Sequence, residues 1–255
     1  MRIKVINPNT TLEMTAGIGA AARSVARPGT EIIDVSPDFG PTSIESYYDE
    51  YVASCGVLDE VRKGEDEGID AYVIACYGDP GLHAAREMTT APVIGIAEAS
   101  FYTAAMLAAR FSIVSVVPRI HTLLEELVRS YGMQEKCIAI RTTPLYVLDI
   151  EKDPVGSFDK LQDEVRRSVR EDDAEAVCLG CAGFAKFAQD LEDELGVPVL
   201  DGVVCATKQA EVLVELGKKT SKLKTYRPPE QKRFDGMFSH FSTDGSADKK
   251  QAAAE

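Results

Sequence analysis

The chain repeats itself, and the repeat limits what it can fold into. Residues 71–75, Cys76, a Gly-containing turn, a helical stretch and Ala91-Pro92-Val93-Ile94-Gly95 are matched later by residues 176–180, Cys181, Gly183, a helical stretch and Val197-Pro198-Val199-Leu200-Asp201. Cys76 precedes Pro92 by 16 positions and Cys181 precedes Pro198 by 17, while the cysteines lie 105 apart and the prolines 106. The strand-like run before Pro8 is echoed by Phe111-Ser112-Ile113-Val114-Ser115-Val116-Val117 before Pro118, an offset of 110. Such a period indicates a duplicated unit of about one hundred residues.

Within a unit, short apolar runs alternate with helical periodicity. Ile3-Lys4-Val5-Ile6 stops at Asn7-Pro8-Asn9, and Thr10 or Thr11 can cap a helix over 12–26. A strand over 30–35, a Gly/Pro/Ser loop over 37–43 and a helix over 47–67 follow, and 71–75 reads as a strand buried on both faces. This grammar predicts an α/β protein of two pseudo-symmetric lobes, each a mainly parallel sheet flanked by helices, with the site in the cleft between them. The expected division is 1–98 for the first lobe, completed by a helix around 208–218, and 99–207 for the second. A basic, Pro-containing strap over 222–232 begins the segment 219–255, whose last dozen or so residues, polar and low in complexity, are expected to be disordered.

Composition removes several function classes. The 28 basic and 41 acidic residues leave a formal charge of −13, which repels nucleic-acid phosphates and anionic membranes. No apolar stretch reaches the ~20 residues of a membrane span. Met1-Arg2-Ile3-Lys4-Val5-Ile6 leads directly into Asn7-Pro8-Asn9 without an apolar leader, so a cytoplasmic, reducing address with free thiols is expected for all six cysteines. Cys178-x-x-Cys181 has zinc-knuckle spacing, but no second such pair or close His pair accompanies it, so no metal site is expected. Cys178 lies inside the strand and belongs to the core, which leaves Cys181 alone at the strand end. The turns lack both G-x-G-x-x-G and the P-loop pattern. Their glycines, Gly78 and Gly183, instead let backbone N–H groups approach a ligand beside each thiol. His83, seven positions after Cys76, is expected on the outer face of its helix rather than as a partner of that thiol.

The sequence resembles the hydantoin and allantoin racemases, a branch of the cofactor-independent aspartate/glutamate racemase superfamily. The resemblance rests on Val5-Ile6-Asn7-Pro8-Asn9-Thr10, Pro41-Thr42-Ser43-Ile44-Glu45, Val73-Ile74-Ala75-Cys76-Tyr77-Gly78-Asp79-Pro80-Gly81-Leu82, Phe111-Ser112-Ile113-Val114, Leu179-Gly180-Cys181-Ala182-Gly183 and Val197-Pro198-Val199-Leu200-Asp201. It implies two similar α/β lobes, no cofactor, a homo-oligomer, and a catalytic cysteine from each lobe, here Cys76 and Cys181. The chemistry agrees: inverting a carbon without a cofactor calls for two bases on opposite faces, one taking a proton as thiolate while the other gives one as thiol. An ordinary thiol titrates near 8.5, and helix N-termini or nearby donors would lower it. In a 5-substituted hydantoin or allantoin the C5 hydrogen is acidified by the adjacent carbonyl, and N–H groups near Gly78 and Ala182-Gly183 would hold the charge that develops. Asn9, Tyr77, Gly78, Ala182 and Gly183 are expected to touch the ring, and Ile44 and Val117 to wall the C5 substituent. Two alternatives remain open at this point: an amino-acid or arylmalonate relative acting on a free carboxylate, and a non-catalytic small-ligand binding module with the thiols as packing residues.

Overall fold

The computed structural model describes residues 1–244; the expected disorder of the final dozen residues falls almost entirely outside them. The first half runs β1 (Arg2–Ile6), α1 (Leu12–Val25), β2 (Glu31–Val35), α2 (Tyr47–Glu67), β3 (Ala71–Ile74), α3 (Leu82–Met88), β4 (Val93–Gly95) and α4 (Ile96–Leu107). The second runs β5 (Phe111–Ser115), α5 (His121–Ser130), β6 (Cys137–Thr142), α6 (Asp149–Lys152), α7 (Pro154–Arg170), β7 (Ala176–Gly180), α8 (Ala188–Leu195), β8 (Val199–Asp201) and α9 (Gly202–Glu215). The strands form two four-stranded sheets ordered β2-β1-β3-β4 and β6-β5-β7-β8, with every pair parallel. The same order in both sheets is the three-dimensional form of the sequence repeat, and the α/β architecture expected of it is present.

Local chemistry explains the elements. β3 and β7 are buried at every position because helices cover both faces of a parallel sheet. Ser46 and Asp49 start α2 as a capping box: the Ser46 Oγ accepts the Asp49 backbone N–H at 3.2 Å and donates to Asp49 Oδ2 at 2.8 Å. The cap expected at the start of α1 differs. Thr11 Oγ1 donates to the Thr42 carbonyl at 2.7 Å, and Asn9 Oδ1 takes the Thr11 N–H at 2.9 Å instead. An Asn two residues upstream makes the turn that a Thr cap would otherwise have made.

The helices that end the two halves are exchanged. α4 follows β4 yet packs on β7 and β8, whereas α9 follows β8 yet packs on β3, β4 and α1. The two helices also pack on each other, so one apolar core runs from Val5 and Ile94 through Phe101 and Ala104 to Ile113, Cys178 and Ala206. Their first turns nearly touch: a Cβ at Gly202 would lie 2.6 Å from the Ile96 carbonyl oxygen. Beyond α9 the basic strap is mostly exposed, but Lys222 Nζ donates to the Arg86 and Glu87 carbonyls at 2.6 and 3.1 Å, closing the C-terminal end of α3.

Candidate active site

Parallel strands deliver ligand-facing residues at their carboxyl ends. Cys76 stands just beyond β3 and Cys181 just beyond β7, and both open into one pocket of about 50 Å³ between the lobes, room for a few waters. The first lobe contributes a polar side, with Asn7 and Asn9 from the β1–α1 turn, Ser46 and Glu50 from the start of α2, and Gly78 after Cys76. The second contributes an apolar side, with Val116, Ile120, Leu123, Leu124 and Val147; Ile44 joins it from the first lobe. Three hydrogen bonds join the lobes: the Val147 N–H donates to Glu45 Oε1 at 2.8 Å, the Tyr47 hydroxyl to Glu126 Oε2 at 2.9 Å, and the Tyr131 hydroxyl to Asp79 Oδ2 at 2.7 Å.

Asn9, Ile44, Cys76, Tyr77, Gly78, Cys181 and Ala182 are thus brought together. Val117 is not: it lines a separate outer depression with Arg119, Pro144 and Tyr146, and Val116 takes the inward place. Successive residues leaving a strand point to opposite sides, so a displacement of one position turns the side chain away. Gly183 lines a smaller side cleft with Met14 and Lys186. Tyr77 borders the cavity, but its phenol turns into the core, where its oxygen and Ser100 Oγ share a hydrogen bond of 2.6 Å. Cys178 is buried beside it, its thiol 3.7 Å from the Ser100 carbonyl, and so points away from Cys181. His83 stacks on Tyr226 on the outer face of α3, with Nδ1 2.8 Å from the Tyr226 hydroxyl.

The two thiols have matching surroundings. Each lies in a Cys-x-Gly turn, and the N–H of that glycine favours the thiolate: Gly78 for Cys76, Gly183 for Cys181. The N–H groups expected to hold charge on a ring oxygen therefore lie against the thiols themselves. They do not lower either thiol below its ordinary value. Burial pushes Cys76 well up, with the Glu50 carboxylate adding to it, and burial pushes Cys181 up to about 12, with Glu45, Asp201 and Glu151 adding. Desolvation of the anion by the surrounding protein outweighs one N–H donor.

One thiol from each copy of the duplicated unit thus lines the same pocket. The model of the Asp/Glu/hydantoin racemase family matches residues 3–210. The chain belongs to that family. Among relatives of this racemase family, a hydantoin racemase of Pseudomonas sp. (strain NS671) is 61% identical over 249 residues, 98% of this chain and 100% of that protein. An allantoin racemase from Klebsiella pneumoniae superposes with a TM-score of 0.93 at 47% identity, covering 95% of this chain and 99% of that one. The allantoin racemase AllR from Pseudomonas fluorescens superposes with 0.89 at 39% identity, covering 92% and 100%.

Sequence reasoning missed the polar and apolar walls around the thiols: Asn7, Ser46, Glu50, Val116, Leu123, Leu124 and Val147. For Glu50 a signal existed, since Ser46-x-x-Asp49 places it in the first turn of a capped helix, from which a side chain reaches back toward the preceding loop. For the walls of the second lobe there was none, because their inward direction depends on how α5 and the 144–148 loop pack.

Proposed function

We propose that the chain racemises 5-monosubstituted hydantoins, allantoin among them, by passing the C5 proton between Cys76 and Cys181. The carrying observation is that one thiol from each pseudo-equivalent strand end lines the same pocket. The identities of the relatives, named hydantoin and allantoin racemases, support the same substrate class. In the proposed step the thiolate of one cysteine takes the C5 proton, and the electron pair of the C–H bond moves onto the adjacent carbonyl as an enolate. The thiol on the opposite face then returns a proton to C5, leaving its own sulfur as thiolate and the first as thiol, so the next turnover runs from the other enantiomer. The polar side of the cavity suits the ring, and the apolar side formed by Leu123, Leu124 and Val116 suits the C5 substituent.

The test follows loss of optical rotation for allantoin, benzylhydantoin and isopropylhydantoin. Cys76→Ala and Cys181→Ala should each lower the rate by at least about 10³-fold while circular dichroism reports an unchanged fold. Single Cys→Ser variants should still exchange deuterium into one enantiomer each, telling the two bases apart. Full activity in either Ala variant would remove the two-thiol mechanism.

A further inference from the structure

A five-membered diamide ring brings two kinds of polar group into a mostly apolar pocket between the lobes: carbonyl oxygens that accept and N–H groups that donate. An N–H left without an acceptor there loses its hydrogen bond to water with nothing in exchange, which weakens binding strongly. The side-chain acceptors that could serve it are few. Asn7 Oδ1 already takes the Asn9 N–H at 3.3 Å, and Asn9 Oδ1 takes the Thr11 N–H and Asn7 Nδ2, both at 2.9 Å. Ser46 Oγ is engaged twice with Asp49, and the Tyr77 oxygen lies in the core on Ser100. The carbonyls of the two cysteines accept the Asp79 and Phe184 N–H groups at 2.9 and 3.0 Å.

Among the side chains that line the cavity, Glu50 is the exception. Among the described residues that line the cavity, it carries the one side-chain carboxyl, and no hydrogen-bond donor or cation in the described structure reaches it. Its place is built rather than incidental. The Ser46–Asp49 box fixes the first turn of α2, and the Glu50 N–H donates to the Ser46 carbonyl at 3.0 Å. From there the carboxyl lies directly over Gly78, in space that any Cβ at position 78 would overlap. A glycine two residues after Cys76 thus serves twice, by presenting its N–H to the thiol and by leaving room for this carboxyl.

We propose that the Glu50 carboxyl accepts a hydrogen bond from a ring N–H of the substrate and so selects hydantoins unsubstituted at that nitrogen. This assignment rests on the hydantoin reading above. The carboxyl keeps an acceptor oxygen in both protonation states, so the role survives its titration. Burial first, then the carboxylates of Asp79, Asp49 and Glu126, raise Glu50 to about 7, which fits a group whose neighbours offer it no positive charge.

The experiment compares kcat/KM for 5-benzylhydantoin and its N1-methyl and N3-methyl derivatives in the wild type, Glu50→Gln, Glu50→Ala and Glu50→Met. The wild type should discriminate against one of the two N-methyl compounds by about 100-fold or more, as sites built around a specific hydrogen bond do. Glu50→Ala should lose about 10–100-fold on the parent compound, and its preference for the parent over that N-methyl compound should shrink to a few-fold. Glu50→Gln retains an acceptor oxygen and should keep most of the preference. Glu50→Met fills the same volume without an acceptor and carries the test if Glu50→Ala unfolds. A parent-to-methyl ratio in Glu50→Ala or Glu50→Met equal to that of the wild type overturns the assignment while leaving the racemase reading intact. A wild type that racemises none of the hydantoins overturns both.

Discussion

Burial acts on the thiols and on a second class of side chain, the carboxylates that cap the exchanged helices. Asp79 caps α4 from a loop, its two oxygens taking the Ala97 and Glu98 N–H groups at 3.1 and 2.9 Å. In the second lobe Asp201 caps α9 from the helix's own N-terminal flank: Oδ1 takes the Val204 N–H at 2.8 Å, while Oδ2 is buried without a partner. Burial raises Asp201 from 3.8 to about 6 against the pull of the Val204 and Val203 N–H groups. Because the folded value lies above the unfolded one, the fold favours the protonated acid. That contribution is complete below about pH 4 and is lost as pH rises through about 6. Asp201→Asn keeps a capping oxygen and stays neutral, so its stability relative to the wild type should improve between pH 4 and pH 7.5 by about 1–3 kcal/mol. Urea denaturation of both proteins at the two pH values reads this directly. A difference between variant and wild type that does not change with pH would mean that Asp201 is solvated in the fold.

At the level of elements, what the sequence made legible was whatever is encoded by runs of neighbouring residues. The fully apolar 71–75 and 176–180 stretches had to be buried strands, and the periodic stretch over 47–67 coincides with α2 (Tyr47–Glu67). The positions of Cys76 and Cys181 followed from those strand ends. Features set by contacts distant in sequence were not legible, such as Val116 rather than Val117 facing inward, Asn9 replacing the Thr cap, and burial outweighing the Cys-x-Gly donors at the thiols. The exchange of α4 and α9 is of a different kind, since the division expected from the sequence already gave the first lobe a helix around 208–218, and one residue tests it. Gly202 opens α9 against the backbone of Ile96 at the start of α4, where an added methyl meets a carbonyl oxygen rather than a flexible side-chain end. Gly202→Ala should therefore cost about 1–3 kcal/mol despite the better helix propensity of alanine, lowering the melting temperature by about 3–10 °C. A variant that melts with or above the wild type would show that the two helix starts are free to separate.

Across the whole molecule, the exchange decides how the two thiols are held relative to each other. Two lobes joined by a simple linker would open and close freely, and the spacing of the two thiols would vary with that motion. Here each sheet is covered by a helix that follows the other sheet's last strand: α9 lies on β3 and β4, and α4 on β7 and β8. The core that contains Phe101, Ile113, Val203 and Ala206 belongs to both lobes at once. Neither half has a complete hydrophobic face without the other, so the duplicated unit visible in the sequence should not be an independent folding unit. A fragment of residues 1–108 would leave β3 and β4 without α9 and would expose Ala97, Phe101 and Ala104 of α4, all buried in the full chain. Expressed alone, it should lack a cooperative thermal transition and bind a hydrophobic dye, as loosely packed chains do. Mixing it with residues 109–255 should restore a single transition, because only together do the fragments supply both helix–sheet contacts. A cooperatively melting 1–108 fragment would mean that the first lobe closes its own core, and that the spacing of Cys76 and Cys181 is set by the cross-lobe hydrogen bonds instead.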